Sequence, residues 1–101
     1  MARIAVDRER IADFCRRHHI RRLSLFGSVL RDDFGPDSDV DMLVEFEPGK
    51  APGLLALVRM EYELADLIGL ERRVDLRTAQ DLSQYFRDEV VALAEEVYAA
   101  A

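Results

Sequence analysis

The sequence predicts an α/β fold, a small mixed β-sheet packed by helices, on three observations. Two short apolar runs, Leu23-Ser24-Leu25-Phe26 and Met42-Leu43-Val44-Glu45-Phe46, read as strands and are separated by a polar segment rich in turn residues. Three longer segments space their apolar residues at intervals of three and four, the period of a helix with one buried face. The motifs GxxxxGKS/T and GxGxxG are absent, so the P-loop and Rossmann arrangements lack their residues.

The first helix is expected over residues 7–19. Asp7 is a suitable N-cap, Val6 and Ile11 would staple across it, and Ile11, Phe14, Cys15 and His18 share one face. His18 and His19 are adjacent and point about 100° apart on a helix, a poor metal pair. The basic cluster Arg16–Arg22 suits a solvated helix end, favoured by the C-terminal dipole. Residues 20–26 form the first strand, and Ser28 to Asp33 a short helix after Gly27. Phe34-Gly35-Pro36-Asp37-Ser38 reverses the chain. In the second strand Val40, Met42, Val44 and Phe46 occupy one face, and Asp39, Asp41, Leu43 and Glu45 the other.

A Pro/Gly loop spans Glu47 to Gly53, with Lys50 unassigned. A second helix, about 54–68, carries Leu54, Leu57, Val58, Leu64, Ala65 and Ile68 on its stripe and stops at Gly69. Leu70 to Arg77 reads as a third strand with Arg73, Asp75 and Arg77 on one face. Thr78 caps a turn, and Ser83 caps a last helix over roughly 84–99 with Phe86, Val90, Leu93, Ala94 and Val97 aligned.

At 101 residues the chain is expected to be one domain, residues 1–101, with one core. Half of it is hydrophobic and 34% charged, the balance of a folded globular protein. A net charge of -6 argues against broad, sequence-independent nucleic-acid binding, which rests on Lys and Arg neutralising phosphates. A lone Cys15 rules out an internal disulfide and fits a reducing compartment. No run approaches the ~20 apolar residues of a membrane span and no signal-peptide core opens the chain, so the expected location is the cytoplasm.

The chemistry concentrates in residues 25–46, LFGSVLRDDFGPDSDVDMLVEF. Asp39 and Asp41, two apart on a strand, point to one face about 6–7 Å from each other along the chain. Carboxylates so placed can converge on one or two divalent metals, which suits phosphoryl or nucleotidyl transfer. Gly27-Ser28 at a strand end, before a helix start, offers backbone N–H groups and a hydroxyl to a phosphate. An isolated Asp-x-Asp or Gly-Ser is more often a solvated strand end or a turn; the pairing of the two beside strand-like runs carries the signal.

The combination resembles the nucleotidyltransferase superfamily that includes polymerase beta, whose signature is Gly-Ser, ten residues, then Asp-x-Asp. Here the spacer runs from Val29 to Ser38, the same count, and Arg31 and Ser38-Asp39 match the small-protein version. The chain is most similar to the minimal nucleotidyltransferase (MNT) antitoxins of HEPN/MNT toxin–antitoxin systems, over nearly its whole length. One departure is Asp32, where many relatives carry Gly after the Arg; it bears on the spacer and not on the acids.

The resemblance implies a polymerase-beta-like nucleotidyltransferase fold and transfer of AMP from ATP to a tyrosine of a HEPN-domain ribonuclease toxin. It implies Mg²⁺, two ions, as cofactor, held by Asp39, Asp41 and a third carboxylate that also helps deprotonate the acceptor hydroxyl. Asp75 fits that third place; its alternative is an acid paired with Arg73 or Arg77. Gly27 and Ser28 would hold the terminal phosphates, while Arg31 would assist them or pair with Asp32 or Asp33. Larger relatives add a domain that grips the acceptor, and none is expected here, which points to a partner chain as acceptor. Two other functions stay open at this point: an antitoxin that only covers its toxin, and the catalytic half of an aminoglycoside-type nucleotidyltransferase.

Overall fold

The computed structural model of the chain describes residues 7–30, 35, 38–69, 73–82 and 87–100, with the backbone alone at Ser28. Helix α1 spans Arg8–Arg17. The Asp7 carboxylate caps it, accepting from the backbone N–H of Glu9 at 3.1 Å and of Arg10 at 3.2 Å. It ends at His18, and His19 turns the chain with a φ of +58° into strand β1, Ile20–Phe26. A 3₁₀ turn at Gly27–Leu30 follows, then strand β2 at Val40–Phe46. Between them Gly35 and Ser38 close a turn, with the Ser38 hydroxyl accepting from Gly35 N–H at 3.0 Å. Helix α2 (Leu54–Ile68) stops at Gly69 in the left-handed conformation that the missing side chain permits. Strand β3 is Val74–Arg77, helix α3 Arg87–Leu93 and strand β4 Glu95–Ala99.

The sheet order is β3-β2-β1-β4. β1 runs antiparallel to both β2 and β4, whereas β2 and β3 are parallel, so the sheet is mixed as expected. Leu23 and Leu25 of β1, Met42 and Val44 of β2, and Leu76 of β3 are buried against Ile11 and Phe14 of α1 and Met60 and Leu64 of α2. Each such side chain contributes about 1.5–3 kcal/mol through removal from water. Cys15 belongs to this core, and burial pushes its thiol up to about 12 even with Arg16 nearby pulling it down, so it is a packing residue. Among the described residues no helix is long and apolar enough to cross a membrane.

Three expectations are corrected. The last helix, expected over 84–99, ends at Leu93, and Glu95–Ala99 pairs with β1, Leu23 opposite Tyr98 and Ser24 opposite Glu96. The spacing of Val90, Leu93, Ala94 and Val97 is compatible with a helix, but β1 would otherwise present an unpaired edge, and the sheet takes the last five of these residues. The stripe of α2 is rotated: Met60 and Leu64 are buried, whereas Leu54 and Val58 face outward, Leu54 at 78% exposure. The helix is apolar on two sides and the sheet selects one. The third strand begins at Val74, with 70–72 outside the described residues.

Candidate active site

The parallel pairing of β2 with β3 places Asp41 directly opposite Asp75. The register is started by the Val40 N–H, which donates to the Arg73 carbonyl at 2.8 Å. Val40 and Met42, and Val74 and Leu76, are all buried on the helix side. Strand alternation therefore sends Asp41 and Asp75 to the other, open face of the sheet, at the end where both strands begin. Asp39 precedes β2 by one residue at that same end.

β1 supplies the opposite wall. Phe26 pairs with Asp41, so the following residue, Gly27, lies over the carboxylate. Its φ is +77°, and a Cβ there would meet Oδ2 of Asp41 at 2.6 Å. The chain turns in the left-handed region so that backbone, with no side chain, adjoins the acid. Val29, fully buried, pins the 3₁₀ turn to the core. The Ser28 backbone sits in that turn; its side chain, and Arg31 altogether, lie outside the described residues.

Asp75 is partly buried, its side chain 23% exposed, and Oδ1 lies 3.9 Å from Nε of Arg73, so one of the two pairings that the sequence left open is present. Among the described residues no group of three acids, histidines or cysteines stands close enough to hold a metal. The structure thus brings Asp41, Asp75 and Gly27 together and sets Asp39 beside them without gathering three acids onto a point. The donors on offer are carboxylate oxygens, beside backbone that no side chain shields. That set fits a hard divalent cation such as Mg²⁺ and not zinc or copper.

One supporting residue went unrecognised in the sequence. Glu61 of α2 accepts the backbone N–H of Leu76 at 2.7 Å, tying the edge strand to the helix next to Asp75. The signal was there: Glu61 lies four residues before Ala65, on a side of α2 that packs inward.

With this geometry in place, the known proteins can be set beside it. A family model described as nucleotidyltransferase domain matches residues 8–96. A Methanocaldococcus jannaschii protein, provisionally named a protein adenylyltransferase, is 40% identical over 81 residues, 80% of this chain and 83% of its own. A solved structure provisionally described as a minimal nucleotidyltransferase superposes with a TM-score of 0.68 at 38% identity, covering 86% of this chain and 85% of that one. A complex of the tri-AMPylated Shewanella oneidensis HEPN toxin with its MNT antitoxin contains a chain that matches at a TM-score of 0.63 and 20% identity, covering 92% of this chain and 70% of that one, a likeness of fold. Neighbouring carboxylates at the head of a parallel strand pair, under a bare glycine turn, are what such relatives would need to share, and the chain belongs to the nucleotidyltransferase-domain family, among the minimal nucleotidyltransferases whose curated relatives are named protein adenylyltransferases.

Proposed function

We propose that this protein is an antitoxin that transfers AMP from ATP to a tyrosine of a HEPN ribonuclease toxin and thereby silences it. The observation that carries this reading is the register of Asp41 with Asp75 beneath Gly27, which sets two acids beside a stretch of bare backbone. The AMPylated HEPN toxin in a complex of similar fold supports the choice of acceptor.

Gly27 and Ser28 receive the terminal phosphates, with Arg31 beside them, because the turn offers N–H groups and no Cβ in the way. Asp39, Asp41 and Asp75 would hold Mg²⁺, which when bound neutralises charge on the triphosphate and the leaving pyrophosphate. The tyrosine oxygen attacks the α-phosphorus, a new P–O bond forms, and the bond to the pyrophosphate oxygen breaks. The phenolic proton passes to Asp75, whose carboxylate is drawn away from Arg73 as the acceptor arrives. Added AMP brings bulk and negative charge, and both oppose RNA binding on the toxin. The single buried Cys15 suits a reducing cytoplasm, where ATP and the toxin would be met.

A second reading, an antitoxin that only covers its toxin, is favoured by one observation: the Arg73–Asp75 pair occupies the proposed base. Incubation of the purified pair with ATP and Mg²⁺ separates the two, since AMP appears on the toxin only in the first.

A further inference from the structure

The open face of the sheet continues past the acids into a groove of about 580 Å³. Leu43, one alternation beyond Asp41 and about 6–7 Å from it along the strand, lies on its floor with its partner Ser24. Val91 of α3, 47% exposed, stands on the wall, and Glu45, Glu47 and Glu96 line the rim.

Three features show what kind of ligand belongs here. Ser24 is 5% exposed, and its hydroxyl has no hydrogen-bond partner among the described residues, a buried donor and acceptor turned into the groove. The arginines at hand are already engaged: Arg22 pairs with Glu96 at 3.2 Å and Arg21 with Glu45 at 3.6 Å. A triphosphate would meet carboxylates and no uncommitted guanidinium, so the groove is no seat for the nucleotide's phosphates. A polypeptide with its own N–H and C=O groups would satisfy Ser24, cover Val91 and bring cations to the glutamates.

We infer that this groove seats the acceptor segment of the partner protein, a stretch of chain carrying basic side chains around the tyrosine that receives AMP. The inference rests on the adenylyltransferase reading and specifies its acceptor. Seated on Leu43, the segment lies one strand step from Asp41, so its tyrosine can reach the acids while its flanks fill the groove.

The test uses the full chain and two fluorescently labelled peptides with the same central tyrosine, one flanked by arginines and the other by glutamates. Binding is read by anisotropy without ATP, so it does not depend on transfer. The arginine peptide should bind about tenfold tighter or more, the difference shrinking with salt. Glu47→Lys, on an exposed loop, should erase most of that preference. Ser24→Ala and Val91→Ser should each weaken the arginine peptide by roughly threefold to tenfold. ATP affinity by calorimetry should be unchanged in all three variants. Equal binding of the two peptides, binding of neither, or variants that lower ATP affinity in place of peptide affinity would overturn the inference, the last outcome returning the groove to the nucleoside. If arginine-peptide binding behaves as stated and no AMP is ever transferred, the adenylyltransferase reading fails and the groove assignment stands.

Discussion

Gly27 and Asp41 lie so close that a Cβ on the glycine would stand 2.6 Å from Oδ2 of the carboxylate. Two independent obstacles therefore meet any substitution there, the clash and the φ of +77°, which an L-residue adopts at a cost of about 1–2 kcal/mol. Gly27→Ala should lower the thermal midpoint modestly and reduce ATP affinity at least about tenfold, because the added methyl displaces Asp41 and screens the backbone N–H groups. Calorimetry on a sample shown to be folded by circular dichroism checks this. Undiminished ATP affinity would show that the phosphates bind elsewhere.

Asp39 and Asp41 differ from the core acids of an ordinary sheet in having nothing to hold together. Folding should survive Asp39→Asn/Asp41→Asn, with a thermal midpoint at or above that of the parent, since a repulsive pair of charges is removed. ATP binding should be lost in the double variant, and in the parent on adding chelator. Retained Mg²⁺-dependent ATP binding in the double variant would refute the ligand assignment.

Away from the site, Glu63 of α2 joins the two helices of the core through Arg17 at 2.7 Å and His18 at 3.3 Å. Partial burial raises its carboxyl, but the hydrogen bonds from Arg17 and His18 outweigh this and hold it below its ordinary value of 4.5. A carboxyl depressed in the folded state contributes stability above its unfolded pKa, and that contribution is lost as pH falls through the folded value. The thermal midpoint of the parent should therefore exceed that of Glu63→Gln at neutral pH and converge with it below about pH 4. A constant gap across that range would mean that Glu63 acts by packing alone.

What was legible in the sequence was local. The strand ending in Gly27 and the strand opening at Asp39-Val40-Asp41 announce themselves through turn residues and alternation, and Asp7 marks its helix by capping chemistry. What was not legible depends on partners far along the chain. Glu95–Ala99 becomes a strand because β1 needs a neighbour some seventy residues upstream, and nothing in Glu-Glu-Val-Tyr-Ala states that. The inward face of α2 is decided by the sheet, so Leu54 and Met60 exchanged places with expectation. Asp75 could be nominated as an acid in a later strand, but its place opposite Asp41 follows from parallel pairing across the crossover through α2. Ser24 reads as an ordinary strand serine until Leu43 is set beside it.

The central claim is that this protein adenylylates a tyrosine of a HEPN toxin, and intact-mass spectrometry of that toxin tests it most directly. After incubation with this protein, ATP and Mg²⁺, the toxin should gain whole AMP units, located to tyrosine by fragmentation, and its ribonuclease activity should fall in step. Asp75→Asn should abolish the added mass while the two proteins still co-elute, because the carboxylate serves proton transfer and metal holding, whereas a separate surface joins the chains. A toxin whose mass never changes while its ribonuclease is nonetheless inhibited by the parent protein would contradict the account and leave a binding antitoxin in its place.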